Sequence, residues 1–198
     1  IAAGYDTYLP AFEILVPALL RSFDKNVPVG NELYKQISEA VSILRSWDYR
    51  AGEKSVATTL AIEWAQKLNP AVQRVYIDQG QVDQVSATRF FAENAGPDDL
   101  LLSFRWVVQD LTERFGTWKM PWGEINRFQR LTGNINETYD DTMPSLPVGF
   151  ASATWGCLPS YVSSPMPGTK KRYGTNGNSF ICVVEFGSRI KAKSLLAG

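Results

Sequence analysis

The spacing of apolar residues changes along this chain of 198 residues, and that change constrains the fold more than any other feature. Through Phe115, apolar side chains recur every three or four residues, as they do on one face of a helix. From Phe180 onward, β-branched and aromatic residues dominate, as they do in strands. A run of helices followed by a run of strands favours the α+β class.

The helical part of the sequence divides at residues that break helices. Asn26–Gly30 ends the first apolar pattern, and Gly96-Pro97 separates the last two. We predict that Asn69-Pro70 ends the third helix, because proline lacks an N–H and restricts the residue before it. The predicted helices cover residues 12–23, 33–44, 55–68, 82–95 and 100–115.

The end of the sequence predicts a β-hairpin. Two strand patterns, 180–186 and 190–196, flank Gly187-Ser188, which fits a two-residue type II′ turn with a positive φ at Gly187. Asn176-Gly177 gives a second turn signal just before the first strand. The first strand has the composition of one that is buried on both faces. Because a lone hairpin is marginal in water, we expect these strands to complete a sheet whose other members lie elsewhere.

Composition divides the chain into three segments. Residues 1–130 form a predicted helical subdomain, and residues 148–198 form the predicted strands and hairpin. Between them, Gly, Pro, Asn, Thr and Ser become frequent, so we predict a loop excursion over 131–147. Both ends look cut, and we expect an internal fragment of a longer protein.

Charge and composition exclude several classes of protein. Lys and Arg total 20 and Asp and Glu total 20, and this balance argues against nucleic-acid binding and against a cationic membrane-surface protein. The longest apolar run, 14–20, is too short to span a bilayer. The chain has no His, so Ser-His-Asp and Cys-His mechanisms are excluded. With two Cys and no His, we expect no metal site and no cofactor.

Few residues suggest chemistry directly, and each has a structural alternative. Asp140-Asp141 and Asp98-Asp99 are paired carboxylates suited to acid/base work or calcium, but such pairs are usually solvated or cap a helix, as expected for Asp98-Asp99. Three roles are open for Cys157 and Cys182: one could be a nucleophile, the two could form a disulfide, or both could be small buried side chains. The last role is the commonest for such cysteines. The Gly174–Asn178 run resembles a phosphate cradle superficially, and a turn explains it better.

Two other patterns allow a functional and a structural explanation. A glycosylation sequon occurs at Asn136-Glu137-Thr138, although such triplets often arise by chance. Aromatic residues able to line an apolar pocket, but more typical of a core, are Trp106, Trp118, Trp122 and Phe128.

Three stretches resemble motifs of the penicillin acylase family, in the same order and spacing. Residues 44–51 and 55–64 resemble the family's "L-x-x-W-D-x-R-A…S-x-A-x-x-L-x-x-x-W" helix pair in its β chain. Trp122–Arg127 resembles "W-G-E/D-x-x-R". Residues 172–198 are similar to "Y-G-x-x-G-N-S-F…V-E-F-G…K-A-x-S-L-L-x-G". The sequence is therefore identified as a fragment of the β chain of a penicillin-acylase-like protein.

The resemblance implies an N-terminal nucleophile hydrolase, with an αββα sandwich formed after self-cleavage of a precursor. In such enzymes a serine at the new N-terminus is the nucleophile, and its free amino group is the base, so no His is needed. An oxyanion hole of backbone N–H groups and an Asn side chain stabilises the tetrahedral intermediate. Substrates are N-acyl amides of β-lactam, N-acyl homoserine lactone or acyl-peptide type. Family members are commonly periplasmic or secreted.

The sequence departs from the family at the catalytic positions. A catalytic chain begins with Ser, Thr or Cys, whereas this one begins at Ile1; the family's oxyanion Asn and its partner Arg would lie upstream, and a "G-Q-S-G" segment would follow Gly198. We therefore predict no catalytic residue in this chain, which is expected to be structural and inactive alone. The expected partners are the rest of the β chain, the α chain and a small acyl amide.

The resemblance also suggests which residues lie nearest the substrate. Asn176, Asn178 and Ser179 belong to a loop that is expected to rejoin the catalytic sheet, and a turn that satisfies its own backbone is the alternative. The sequence also allows two rival functions. One is a non-catalytic binding or scaffolding module built from the same subdomain, and the other is an independent enzyme that uses Cys157 or Cys182.

Overall fold

The structure is a computed structural model that describes residues 2–78, 80, 83–130 and 138–195. These residues form helices first and strands afterwards, which confirms the α+β class. By contacts they divide into two compact units. A helical unit comprises 10–49 and 56–120, and a sheet unit comprises Ile1–Leu9, Arg50–Ser55 and Pro121–Gly198. The three segments expected from composition stay a prediction about domains, and residues 131–137 of the loop excursion lie outside the described residues.

The helical unit contains five α-helices around an apolar core. Trp64 and Phe104 are fully buried at its centre, with their ring centroids 5.9 Å apart in an edge-to-face arrangement. The Trp64 indole N–H donates to Ser103 Oγ at 2.9 Å, so burial leaves this donor paired. The helices are α1 Ala11–Asn26, α2 Glu32–Arg45, α3 Val56–Asp78, α4 Gln84–Asn94 and α5 Pro97–Phe115.

Polar caps define where these helices begin. Asn31 accepts from the N–H of Leu33 at the start of α2, and Asp83 accepts from Ser86 at the start of α4. The bonds from the Ser86 hydroxyl and N–H hold the pKa of Asp83 below its usual value. Asp99 accepts from the N–H that precedes α5, at 3.0 Å. The capping role expected of Asp98-Asp99 is therefore confirmed at Asp99.

The predicted end of the third helix is wrong. Helix α3 continues through Pro70 to Asp78, although a proline inside a helix removes one backbone hydrogen bond. Leu68 and Val72 are buried on either side of Pro70, and α3 packs against α4. Tertiary packing of this apolar face outweighs the local preference of the helix to end at Pro70.

Replacing Pro70 with Ala is therefore expected to stabilise the protein, by about 1–3 kcal/mol, because Ala is a far better residue for a helix interior. Pro70 is exposed, so the change should leave the core packing intact. Chemical denaturation of both proteins measures the difference. A lower stability of the Ala variant would mean that Pro70 has a packing role that its exposure does not suggest.

The sheet unit contains a small mixed sheet. Strands were predicted over 148–198, which includes two of its four members, but the other two strands and the pairing were not predicted. Its strand order is β2-β1-β4-β3; β1 and β4 are parallel, and the other neighbours are antiparallel. Alternation cannot be recognised in strands of two or three residues, which is the length of two of the four strands. They are β1 Asn126–Phe128, β2 Leu146–Pro147, β3 Tyr161–Pro165 and β4 Arg172–Gly177, with a short helix α6, Trp122–Ile125, before β1.

The hairpin is confirmed, but its turn is not the predicted one. Strands β5, Ile181–Glu185, and β6, Lys191–Leu195, pair antiparallel with Glu185 opposite Lys191. The connection therefore covers 186–190 instead of two residues, and Gly187 does not have a positive φ. Residue 196, where the second strand was expected to end, lies outside the described residues.

Burial of the first hairpin strand on both faces stays a prediction, because the layers expected to cover it lie outside this chain. Ile181 is buried, whereas Val184 is 40% exposed, Phe180 65% and Phe186 82%. No layer of the described residues covers these side chains. The composition that suggested a doubly buried strand is thus found on an apolar surface.

None of the helices formed by the described residues is long and apolar enough to cross a membrane.

Candidate functional site

The Trp-Gly pair at the start of α6 holds the segment 50–55 against the sheet unit. The N–H of Trp122 donates to Ser55 O at 3.1 Å, and the N–H of Gly123 donates to Glu53 O at 2.8 Å. A Cβ at position 123 would lie 3.1 Å from Glu53 Cβ, so the close approach favours glycine. The Trp122 indole N–H donates to Phe150 O at 3.0 Å. The Trp-Gly pair of the "W-G-E/D-x-x-R" motif therefore anchors the segment 50–55 within the sheet unit.

The remaining residues of this element fix the backbone around β1. Asn126 is fully buried, and its Nδ2 donates to Val148 O at 2.7 Å and to Phe150 O at 3.0 Å. Arg127 donates through Nη1 to Gly123 O at 2.8 Å. Sequence reasoning did not select Asn126, although a polar residue next to a short apolar helix is a recognisable signal of such a role.

Residues of the "W-D-x-R-A" motif also make structural contacts, by ring packing and by an ion pair. In the helical unit, Trp47 packs on Phe12 with ring centroids 5.3 Å apart and on Tyr49 at 5.5 Å. Tyr49 has a φ of 59°, and burial and Glu13 raise its pKa. In the sheet unit, Arg50 pairs with Asp6 at 3.3 Å. These side chains organise local structure.

The carboxylates of Asp140 and Asp141 bind different donors. Asp140 Oδ1 accepts from the N–H and hydroxyl of Thr142, and these bonds hold the pKa of Asp140 below its usual value. Asp141 accepts from the N–H of Lys170 at 2.6 Å and from the Tyr173 hydroxyl at 2.8 Å. Each carboxylate fixes a loop, and the pair is not arranged as an acid and a base that share one substrate.

Two buried tyrosines lie beside this cluster. Burial raises the pKa of Tyr173, and the hydrogen bond to Asp141 raises it further. Burial also raises the pKa of Tyr161, whose hydroxyl donates to Arg127 O at 2.8 Å. Both phenols therefore stay protonated at neutral pH and act as donors, not as bases. Sequence reasoning missed both, because their partners are distant in the chain.

The predicted turn at Asn176-Gly177 is wrong, and so are both explanations of the Gly174–Asn178 run. Residues 174–177 continue β4, with Asn176 opposite Val162 of β3; Asn178 follows the strand, and no helix comes next. A phosphate cradle needs the N-terminus of a helix or a group of free N–H donors. The run here lies in a strand that is paired with its neighbours on both sides.

The three predicted substrate-near residues lie together at the end of β4 and just after it. Asn176 and Ser179 are exposed. Asn178 is half-buried, and its N–H and side-chain oxygen bond the backbone of Ser160. The structure thus brings the three to one end of a strand and gives Asn178 a structural partner. Their relation to substrate stays a prediction.

Comparison with known proteins decides the family. The family model described as Penicillin amidase matches residues 1–198. The chain belongs to the penicillin amidase family. A comparison with curated proteins finds no match to it. Membership confirms the resemblance seen in the sequence and implies a hydrolase that acts on amides.

The two cysteines of this chain lie in different environments. Both are free thiols; Cys157 is buried and Cys182 is exposed. Burial raises the pKa of the Cys157 thiol, which disfavours the nucleophilic thiolate. A disulfide between the two is excluded, and the expectation that both are buried holds for Cys157 alone. Cys182 is exposed because it lies on the uncovered hairpin.

The four aromatic residues considered as a pocket are divided between the two units of this penicillin amidase chain. Trp122 and Phe128 belong to the sheet unit, and Trp122 is buried there. Trp106 and Trp118 belong to the helical unit, where Trp106 is 45% exposed with the Lys67 ammonium 3.9 Å from its ring centroid. Only Trp122 has the core role expected for such residues.

No group of three or more His, Cys, Asp or Glu among the described residues is arranged to hold a metal ion.

Proposed function

We propose that this chain is part of an amidohydrolase that cleaves the amide bond of an N-acyl substrate and that it supplies structure, with the nucleophile outside these residues. The observation that carries the proposal is the family match over residues 1–198. A reaction driven by an N-terminal amino group also suits a sequence without His.

A structural role for this segment is supported by how its polar side chains are used. The buried hydroxyls of Tyr161 and Tyr173 are held protonated, and each donates to a group of the chain itself. The amide of Asn126 donates to two backbone carbonyls. These groups supply no activated nucleophile or base, which supports a structural role for this segment.

The substrates we propose are N-acyl amides of β-lactam, N-acyl homoserine lactone or acyl-peptide type. Asn176 and Ser179 present exposed polar groups at the end of β4, where they are available to a substrate amide or headgroup. Asn176→Ala should raise KM about threefold or more if it contributes one hydrogen bond. Ser188→Ala, an exposed polar change in the hairpin connection, is the matched control. Equal KM values for both variants would remove Asn176 from the substrate site.

The direct test is hydrolysis by the native protein of chromogenic N-acyl amides with acyl chains of increasing length. We expect one chain length to give the highest kcat/KM. Absence of turnover across the series, with a folded protein, would favour the alternative proposal of a non-catalytic binding or scaffolding module.

We further propose that the rest of the β chain and the α chain of the same precursor cover the hairpin. The exposed side chains of Phe180, Phe186 and Ile190 are 65%, 82% and 64% accessible, and strands β5 and β6 pair only with each other among the described residues. Exposed apolar strands with free edges associate with other strands.

Expressed alone, the 198 residues should therefore self-associate. Phe186→Ser should reduce the association, and Val29→Ser, at a position that is 84% exposed in the helical unit, should not. Light scattering after size exclusion measures the mass. A monodisperse monomer that melts cooperatively would contradict the covered-hairpin proposal.

Location is proposed on the family alone. We propose a periplasmic or secreted protein, and fractionation of the source cells followed by detection of this chain tests it.

A further inference from the structure

Asn176 is the only asparagine of this sequence that is followed by glycine. The backbone nitrogen of the next residue can attack the side-chain amide carbon of an asparagine, which closes a five-membered imide ring. Glycine has no Cβ to crowd this attack. Asn178, followed by the small Ser179, is the next least crowded case. The sequence therefore offers two candidates for this reaction, and the structure distinguishes them.

The backbone N–H of Gly177 faces away from β3. In an antiparallel pair, opposite residues alternate between pairs that exchange hydrogen bonds and pairs that do not. Asn178 donates its N–H to Ser160 O at 3.1 Å, so the adjacent pair, Tyr161 opposite Gly177, is one that does not. The N–H of Tyr161 agrees with this, since it donates to Ala151 O at 2.9 Å instead.

On the other side of β4, strand β1 does not reach Gly177. The register of β1 with β4 covers only Arg172 and Tyr173, at the beginning of β4. Gly177 is the last residue of β4, and it is exposed. Its N–H therefore has no strand partner among the described residues, and its nitrogen is accessible to the side chain of Asn176.

The amide of Asn176 is also exposed and free to rotate. Closing the ring turns the peptide bond between Asn176 and Gly177, which opens the pairing of Asn176 with Val162. That pairing lies next to the end of β4, where local opening costs less free energy than opening of the whole sheet. The ring can therefore close while the rest of the sheet unit stays folded.

Asn178 is held by Ser160. The N–H of Ser160 donates to the side-chain oxygen of Asn178, and the N–H of Asn178 donates to Ser160 O. Ser160 is itself fixed, because its hydroxyl accepts from the N–H of Ala153 at 2.9 Å. The amide carbon of Asn178 cannot turn toward the nitrogen of Ser179 until these bonds are broken.

We infer that Asn176 deamidates spontaneously in the folded protein and that Asn178 does so more slowly. The Gly177 nitrogen bonds to Cγ of Asn176 and loses its proton, while the bond from Cγ to Nδ2 breaks and ammonia leaves. Water then opens the imide at either carbonyl, which gives aspartate or isoaspartate. The product adds one negative charge beside Ser179. The inference does not depend on amide hydrolysis, because the chain modifies itself.

The test is incubation of the native protein at neutral pH, followed by tryptic digestion and mass spectrometry. Both asparagines lie in the tryptic peptide 173–189, and fragment ions assign the gain of about 1 Da to one or the other. Isoaspartate methyltransferase labels the isoaspartate product. The gain should accumulate at Asn176, and at least about fivefold more slowly at Asn178. No gain at Asn176, or equal gain at both, would overturn the inference.

A glycine variant tests the role of the accessible nitrogen. Gly177→Ala should slow the gain at Asn176 about fivefold, because the added Cβ crowds the nitrogen. Gly177 does not have a positive φ, so alanine suits its backbone. Gly187→Ala, the same change in the exposed hairpin connection, is the matched control and should leave the rate unchanged. Equal rates in the two variants would overturn the inference.

A second variant separates the structural setting from the sequence motif. Ser179→Gly places a glycine after Asn178 as well, so the two asparagines then differ only in their surroundings. Asn176 should still deamidate about fivefold faster, because the bonds between Asn178 and Ser160 remain. Equal rates at the two positions in this variant would overturn the inference.

Discussion

Replacing Trp122 with Ala is expected to lower the free energy of unfolding by about 3–5 kcal/mol, the usual cost of deleting a buried tryptophan. Trp122 is only 2% exposed, and its indole donates to Phe150 O. The variant would leave a large cavity and one buried carbonyl without its donor. Urea denaturation followed by circular dichroism measures the loss.

Trp106→Ala is the matched control for this change. Trp106 is 45% exposed and interacts with the Lys67 ammonium, so its removal should cost about 1 kcal/mol or less. If the two tryptophan variants lose equal stability, Trp122 is not the anchor of the sheet unit that its contacts indicate.

Gly174→Ala should be nearly as disruptive, at about 2–4 kcal/mol. A Cβ at position 174 would lie within 2.7 Å of three atoms of the Tyr161 ring and hydroxyl. Tyr161 is buried and donates to Arg127 O, so the ring must shift and lose that bond. The same denaturation measurement applies.

Gly187→Ala tests whether the stability lost in Gly174→Ala comes from the steric clash with Tyr161. Gly187 has no positive φ, and its added Cβ would approach only Arg189 O, at 4.0 Å. This variant should be within about 0.5 kcal/mol of the unchanged protein. An equal loss at both glycines would point to backbone entropy and not to the contact with Tyr161.

The helices were predictable because their signals are local. Apolar spacing located five of them, although α5 begins at Pro97, three residues before the predicted start at 100. The failure at Pro70 has a physical cause. The buried side chains after it supply packing energy that no local rule includes, and the helix continues.

The strands were only partly predictable. The hairpin has a strong composition signal, so its existence was predicted, but its connection depends on register and not on the Gly-Ser pair alone. The parallel pairing of β1 with β4 joins Asn126 to Arg172, and no local pattern of three-residue strands reveals such a partner.

The candidate site was least predictable because its contacts join distant parts of the chain. Asp141 looked like half of a carboxylate pair, yet its donors lie at Lys170 and Tyr173. The family resemblance supplied what local chemistry did not, since it pointed to an amide hydrolase without naming a catalytic residue here. The family match over residues 1–198 confirms that resemblance.

We propose that these residues belong to a self-processed amidase whose nucleophile lies outside them. N-terminal sequencing of the native protein, with its intact mass, tests this most directly. We predict a mature polypeptide that contains this chain and begins with Ser, Thr or Cys upstream of Ile1. A native polypeptide that begins at Ile1 would have no nucleophile of the required kind and would contradict the claim.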